Sequence, residues 1–246
     1  MAKSPSKRKK PLKEDFVLKE RSKVESEVFD KLSLLNLVKI MKKGVILSVD
    51  YPISTGKEAN VFRGTTATGS SVAIKIYKIE TTPFFRRAEY LEGDPRFSKI
   101  KSNDRDIIMA FAHKEFKNLQ ICESAGVHAP KPLFCLKNIV VMSFLGENGV
   151  PYSPLHLMKP ESEAQLESLL QDIKKMYKAG LVHADISEYN ILVNGVPHLI
   201  DFGQGVVIGH PNAERFLERD VRNLLSYFAK YGYTRDFDEV IKWIRK

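Results

Sequence analysis

The sequence predicts an α+β fold with two lobes, a mainly β lobe followed by a mainly helical one. Short apolar runs of strand type dominate the chain up to residue 145, and apolar residues at helical spacing dominate the rest. The change between the two textures falls near residues 143–150, where we expect a hinge between the lobes.

Composition narrows the class of protein. Hydrophobic residues make up 43% of the 246 residues, which excludes disorder throughout. No apolar run approaches the roughly 18 residues of a membrane span, and the N-terminus is too polar for a signal peptide. The cysteines Cys122 and Cys135 cannot build a disulfide framework, so we expect a cytoplasmic protein in a reducing compartment. The net charge of +9 indicates a polyanionic partner such as a nucleotide or a ribonucleoprotein.

The chain begins with a basic segment. Residues 1–13 carry several lysines and no acidic residue, which predicts a flexible tail that either aids solubility or contacts nucleic acid. Residues 14–44 are expected to form an N-terminal helical extension. Its clearest part repeats apolar residues at helical spacing and ends on a glycine: Leu34, Leu37, Val38, Met41 and Gly44.

Strand patterns define the first lobe, which we expect to span residues 45–145. The apolar runs of strand length are 45–53, 59–63, 71–77, 132–136 and 139–145. Lys137 and Asn138 separate the last two runs, as in a hairpin. The result is a helix-flanked antiparallel sheet with a flexible insertion at about residues 80–106.

Helical patterns define the second lobe, expected to span residues 146–246. Apolar residues between 166 and 177 keep helical spacing, and a pair of helices ends the chain. Between them lie two short strands, 191–193 and 196–200, turned by Asn194-Gly195.

A polar loop precedes the strand at 59–63. Ser54 and Gly56 are small enough for backbone N–H groups to approach phosphate oxygens, and Lys57 adds a positive charge. Taken alone, this segment is equally typical of an ordinary turn.

A lysine on the next strand indicates a functional site only if a carboxylate pairs with it. Lys75 projects from the face opposite Val72 and Ile74. Glu115, in a helical stretch about 40 residues later, is the candidate to hold its ammonium toward phosphate oxygens, with Glu80 and Glu123 as competitors.

The strongest chemical pattern lies in the second lobe. Asp185 and Asn190 share one loop, and Asp201 follows the short hairpin, directly before Phe202-Gly203. Phosphoryl transfer needs oxygen ligands for Mg²⁺, here Asn190 and Asp201, and a carboxylate beside the attacking hydroxyl, here Asp185. A chance occurrence of these patterns is improbable, because the chain carries them in a fixed order: the polar loop, the strand lysine, the Asp-x₄-Asn pattern and then Asp-Phe-Gly.

In that order the motifs resemble the protein-kinase superfamily. Ser54–Val61 together with His183-Ala184-Asp185-Ile186-Ser187-Glu188-Tyr189-Asn190 is most similar to the RIO family of atypical serine/threonine protein kinases, in its type-1 branch and archaeal in character. Ala184 replaces the usual arginine, and no Ala-Pro-Glu segment follows Asp201. The resemblance implies a two-lobed kinase-like fold with extra N-terminal helices and a trimmed helical C-lobe.

The resemblance also implies roles for individual residues. Lys75 would contact the phosphates of ATP, Asp185 would be the catalytic base, and Asn190 and Asp201 would bind Mg²⁺ or Mn²⁺. The main chain of Ser143 and Leu145 would meet the adenine, with Met142 behind it. Asp201 would also be able to accept the phosphoryl group.

At the level of function, the resemblance implies kinase or ATPase activity in maturation of the small ribosomal subunit, with precursor rRNA and ribosomal proteins as partners. Two other interpretations stay open. Small-molecule hydroxyl kinases share the His-x-Asp-x₄-Asn arrangement, and a ribonucleoprotein-binding module could hold ATP without turnover. The oligomeric state is left open too.

Three further residue predictions accompany the site. Asp220 either steadies the catalytic loop through its backbone or is a plain helix charge. His183 is expected to pack or hydrogen-bond within its loop without acid–base work. Ser98 or Ser102 in the insertion could be an autophosphorylation site.

Overall fold

The computed structural model describes residues 30–79, 90, 93–94, 96 and 104–246. Within these residues an antiparallel five-stranded sheet comes first and a mainly helical part follows, as the sequence predicts. The two-lobed α+β architecture is therefore confirmed. Ser98 and Ser102, Glu80 and the basic segment 1–13 lie outside the described residues.

The described helices are α1 (Lys31–Lys42), α2 (Asp104–Ala125), α3 (Glu163–Lys178), α4 (Ala213–Ala229) and α5 (Phe237–Arg245). The strands of the large sheet are β1 (Ser48–Thr55), β2 (Ala59–Thr65), β3 (Ser71–Tyr77), β4 (Pro132–Leu136) and β5 (Ile139–Ser143). Shorter strands follow: β6 (Gly146–Glu147), β7 (Val150–Pro151), β8 (Ser153–Pro154), β9 (Leu181–Val182), β10 (Ile191–Asn194), β11 (Val196–Leu199) and β12 (Val206–Val207). Among the residues that the structure describes, no helix is long and apolar enough to cross a membrane.

The large sheet has the order β1-β2-β3-β5-β4, and its central strand β3 is buried on both faces. Val72, Ile74 and Ile76 face a small core that α1 covers. Ala73 and Tyr77 alternate with them and belong to the main core together with residues of α2. This alternation turns Lys75 toward α2 and away from α1.

Helix α1 lies on the sheet with a different face from the one its apolar spacing suggests. Of the apolar repeat, Leu37 is buried, whereas Leu34, Val38 and Met41 are each at least 40% exposed. The inner face instead includes Asn36, whose amide donates to Asn138 at 3.1 Å. The face of α1 that meets the sheet therefore combines the apolar residues Leu37 and Ile40 with polar residues that hydrogen-bond Asn138 in the β4–β5 turn.

The helical part packs α3 and α4 around one core with the β10–β11 hairpin beside them. This hairpin turns at Asn194-Gly195, as predicted, and Gly195 has a positive φ of 67°. Asp172 of α3 ties the helical part to the segment that follows α2, because its carboxylate accepts from the His128 backbone N–H at 3.2 Å. The sequence does not predict the two-residue strands, because segments this short show no alternation of apolar and polar residues.

Candidate active site

A cleft of about 660 Å³ lies between the sheet and the helical part. Its walls include the β1–β2 turn, β3, α2, the segment after β5, and the loops on either side of the β10–β11 hairpin. The predicted site residues that line it are Ser54, Lys57, Lys75, Glu115, Met142, Ser143, Leu145, Asn190 and Asp201.

Lys75 joins two carboxylates from distant parts of the chain. Its Nζ donates to Glu115 Oε1 at 2.8 Å and to Asp201 Oδ1 at 2.8 Å, so the predicted pairing with Glu115 is confirmed. Burial opposes the charge on Lys75, but the carboxylates of Asp201 and Glu115 outweigh it and raise the pKa of the ammonium above its usual value. Lys75 is therefore a fixed positive charge at the centre of the cleft.

Tyr77 holds the other oxygen of Glu115. Its hydroxyl donates to Glu115 Oε2 at 2.6 Å, and both side chains are buried. Burial raises the pKa of Glu115, and the bonds from Lys75 and Tyr77 act in the opposite direction by stabilising the ionised form. Tyr77 is absent from the predicted site, although its place two residues after Lys75 puts both on one face of the strand.

Asp185 and Asn190 are linked within their loop. Asn190 Nδ2 donates to the Asp185 backbone carbonyl at 2.9 Å and to Asp185 Oδ2 at 3.0 Å. The amide nitrogen thus turns toward Asp185, which leaves Oδ1 of Asn190 as the atom that a cation would meet. The preceding residue, Ala184, has a positive φ of 62°, a conformation that an alanine adopts only under constraint.

Asp220 supplies much of that constraint from α4. Its carboxylate accepts from the backbone N–H groups of Ala184 at 2.7 Å and Ile186 at 3.0 Å, and the side chain is buried. Burial raises the pKa of Asp220 to about 7. The hypothesis that Asp220 steadies the catalytic loop is confirmed, and the alternative of a plain helix charge is wrong.

Asp201 stands on the opposite side of the loop, with its side chain 44% exposed and a positive backbone φ of 63°. Two bonds join its segment to the catalytic loop: Ile200 N donates to the Asn190 carbonyl at 3.0 Å, and His183 Nε2 donates to the Ile200 carbonyl at 3.0 Å. Burial lowers the pKa of His183 to about 4, so its imidazole is neutral. The packing role predicted for His183 is confirmed.

The remaining predicted residues line the cleft at the β1–β2 turn and at the segment that includes the end of β5. Ser54 and Lys57 flank the β1–β2 turn, in which Gly56 N donates to the Ala59 carbonyl at 3.0 Å. The Ser143 amide donates to Lys131, and the Leu145 carbonyl accepts from Tyr152. Ser143 and Leu145 both line the cleft, and the contact of their main chain with adenine stays a prediction.

The oxygen atoms of Asn190 and Asp201 suit a hard divalent cation. Amide and carboxylate oxygens are ligands that Mg²⁺ prefers, and Mg²⁺ commonly binds one or two protein groups together with water and substrate phosphates. Among the described residues, no group of three or more His, Cys, Asp or Glu side chains could hold a metal ion by itself. The residues present fit a cation that arrives with a phosphate ligand.

Comparison with known proteins gives one consistent result. The RIO domain family matches residues 60–240. The RIO-type serine/threonine-protein kinase Rio1 of Haloferax volcanii is 38% identical over 226 residues, which cover 90% of this chain and 77% of that protein. The protein of the same name from Thermoplasma acidophilum is 40% identical over 175 residues, 71% of this chain and 94% of that protein.

A solved structure shares the fold. The Rio2 kinase of Chaetomium thermophilum, solved as an ADP/Mg²⁺-phosphoaspartate complex, superposes with a TM-score of 0.65 at 22% identity. The match covers 85% of this chain and 65% of that one, so the chain spans just under two thirds of this structural neighbour.

Proposed function

The chain belongs to the RIO family of atypical serine/threonine protein kinases, and on that premise we propose that it uses ATP and Mg²⁺ (or Mn²⁺) for phosphoryl transfer. The proposed site is the cleft lined by Lys75, Asn190 and Asp201, with Asp185 bonded to Asn190 at its edge. One observation carries the proposal: Lys75 reaches both Glu115 and Asp201 at 2.8 Å, across elements from both lobes. An ammonium held in this way has the position and the charge to bind phosphate oxygens.

Each residue has a separate task in this proposal. The Asp185 carboxylate, oriented by Asn190, receives the proton of the attacking hydroxyl or water. Lys75 contacts the phosphates, and the backbone of Ser143 and Leu145 holds the adenine. The oxygens of Asn190 and Asp201 would hold the divalent cation, which would supply charge neutralisation for the transferred phosphoryl group.

The phosphoryl acceptor is the second part of the proposal. Asp201 is the candidate acceptor within the chain, because its carboxylate is part-exposed in the cleft beside Lys75. A protein serine and water are the other acceptors. The Rio2 kinase of Chaetomium thermophilum was solved with a phosphoaspartate, which supports Asp201 for this chain.

The proposed setting is maturation of the small ribosomal subunit in the cytoplasm, with precursor rRNA and ribosomal proteins as partners. The net charge of +9 and the basic segment 1–13 support a polyanionic partner. The names of the relatives, which are serine/threonine-protein kinases, favour a protein acceptor over a small-molecule hydroxyl.

The test follows the γ-phosphate of labelled ATP with Mg²⁺, with and without small-subunit particles, in wild type, Asp185→Asn and the control Asp238→Asn. Asp238 is an exposed carboxylate on α5, so its variant should match wild type. Asp185→Asn should lose at least about a hundredfold in turnover, because it lacks the proton acceptor. Acid-stable label on serine indicates a kinase, hydroxylamine-labile label indicates Asp201, and free phosphate that rises with particles indicates an ATPase. Bound ATP without turnover in wild type contradicts the proposal and favours a binding module.

A further inference from the structure

The backbone after Asp201 is held by two buried side chains of α2. Lys114 Nζ donates to the Gln204 carbonyl at 3.0 Å. Asn118 Nδ2 donates to the carbonyls of Phe202 at 2.9 Å and Gly205 at 2.8 Å. Both side chains have 0% exposure. Helix α2 therefore fixes this stretch of backbone directly and reaches the Asp201 side chain through Glu115 and Lys75.

The Asn118 amide can make these two bonds only when its nitrogen, and not its oxygen, faces the carbonyls of Phe202 and Gly205. Its oxygen and nitrogen occupy nearly the same space, so only the surrounding partners decide which one faces the two carbonyls. The two carbonyls can only accept and therefore require the NH₂ group. Arg96 reinforces this orientation from the other side, because its guanidinium donates to Asn118 Oδ1 at 2.8 Å and has no acceptor atom to offer. With the oxygen turned to Arg96, the NH₂ group faces Phe202 and Gly205.

Arg96 is itself held in place. Asp94, which is 1% exposed, accepts from Arg96 Nε at 3.0 Å and from its terminal NH₂ nitrogen at 2.7 Å, a bidentate pair. Both residues belong to the insertion between β3 and α2. The third guanidinium nitrogen is thereby aimed at Asn118.

A third residue of the same insertion, Tyr90, lies near the support of the loop that carries Asp185. The Tyr90 ring stacks on Phe216 of α4 with centroids 5.0 Å apart, and the Arg219 guanidinium lies over the same Phe216 ring, 5.0 Å from its centroid. Arg219 in turn donates to the carbonyl of Ala184, the residue before Asp185. The described residues of the insertion thus contact the supports of both loops that carry the proposed site.

From these contacts we propose that Arg96 is a positioning residue for phosphoryl transfer, which acts through Asn118 on the backbone that follows Asp201. The inference rests on the proposed function for its kinetic readout and on the structure alone for its physical one. Loss of Arg96 leaves Asn118 Oδ1 without this donor, so the Asn118 side chain holds the Phe202–Gly205 turn, and with it the Asp201 carboxylate, less firmly.

The first experiment measures hydrogen exchange of the backbone amides in the 201–206 peptide and needs no turnover. Gly205 N, which donates to the Phe202 carbonyl at 3.1 Å, should exchange about tenfold faster in Arg96→Met than in wild type, as for the loss of one charge-assisted hydrogen bond. The control is Arg245→Met, which removes an arginine paired with Glu214 on α4 and should leave this peptide unchanged. Unchanged exchange in Arg96→Met overturns the proposal.

The second experiment separates positioning from charge and from folding. Arg96→Met should lower kcat about tenfold with KM for ATP within about twofold, since the adenine contacts lie elsewhere. Arg96→Lys should be equally impaired, because a single nitrogen cannot replace the three guanidinium nitrogens that make the bidentate pair with Asp94 and the separate bond to Asn118. Full recovery in Arg96→Lys contradicts the proposal, since it would mean that charge alone suffices.

A double variant tests the route. In an Asn118→Leu background, Arg96→Met should cause no further loss of kcat, because the amide through which it acts is gone. An additive loss shows that Arg96 acts by another route and overturns the proposal. Absence of turnover in wild type contradicts the proposed function instead, and the hydrogen-exchange comparison still decides the positioning role.

Discussion

At the level of single residues, Glu115 illustrates how two hydrogen-bond donors stabilise a buried carboxylate. Burial of a charge costs several kcal/mol unless its partners replace the lost water. Lys75 takes one oxygen of Glu115, and the Tyr77 hydroxyl takes the other. The Lys75 ammonium then has a fixed direction, with its second hydrogen bond to Asp201. Removal of Tyr77 should therefore affect ATP binding through two intermediate residues.

Tyr77→Phe tests this coupling. The variant leaves one oxygen of a buried carboxylate without its donor, a loss of about 1.5–3 kcal/mol for a hydrogen bond to a charged group. We expect KM for ATP to rise about tenfold, measured by steady-state kinetics, together with a lower melting temperature. The matched control is Tyr227→Phe, a buried tyrosine that donates to the Leu155 and Met158 carbonyls. It should lower stability without changing KM, and an equal KM shift in both variants would contradict the role of Tyr77.

At the scale of elements, the site depends on a turn that packs against a strand. An added Cβ at Gly203 would lie 2.8 Å from the Tyr77 hydroxyl oxygen and 3.5 Å from Asp201 Oδ1. The turn after Asp201 therefore lies so close to the Tyr77 hydroxyl that a Cβ at position 203 would force one of the two to shift. Such a shift would disturb the contacts of Tyr77 and Asp201 with the Glu115–Lys75 pair.

Gly203→Ala should consequently impair activity more than stability. Overpacking of this size costs about 1–3 kcal/mol, and here it displaces Tyr77 or Asp201. We expect at least about a tenfold loss of turnover with a melting temperature lower by a few degrees. Gly209→Ala is the control, because a Cβ there meets nothing within 4 Å. Wild-type turnover in Gly203→Ala would show that the contact does not set the geometry of the site.

For the whole molecule, the pH dependence of unfolding reflects its buried titratable groups. His183 has its pKa lowered to about 4 by burial, below the value near 6.5 of an unfolded chain. The unfolded state therefore binds more protons between these values, and the free energy of unfolding falls as pH drops from 6.5 toward 4. Asp220 acts in the opposite direction over the same range, because its folded pKa is raised to about 7.

A comparison of variants isolates the contribution of His183. Between pH 7.5 and pH 5, wild type should lose about 2 kcal/mol of unfolding free energy relative to His183→Gln, measured by urea unfolding. The glutamine amide can still donate to the Ile200 carbonyl that His183 contacts. His156→Gln, at an exposed position, serves as control and should follow wild type. If His183→Gln also follows wild type, then burial does not hold this imidazole neutral.

The features that could be predicted from sequence are those that local residue spacing determines. Asp185 and Asn190 share one loop, and strand alternation alone turns Lys75 away from Val72 and Ile74. The pairing with Glu115 was one of three candidates until the fold brought α2 against β3. The buried face of α1 could not be predicted, because the contact between Asn36 and Asn138 joins residues about a hundred positions apart. The same reason applies to Arg96 and Asn118, whose partnership has no spacing pattern in the sequence.

The shared hydrogen bonds of Lys75 have a consequence for how a nucleotide approaches. The chain as a whole is strongly basic, so it attracts polyphosphates from a distance. The charged side chains that line the cleft have the opposite balance: Glu58, Glu115 and Asp201 against Lys57 and Lys75. We therefore expect a triphosphate that carries a divalent cation, and so has part of its charge neutralised, to bind in this cleft more readily than a bare triphosphate.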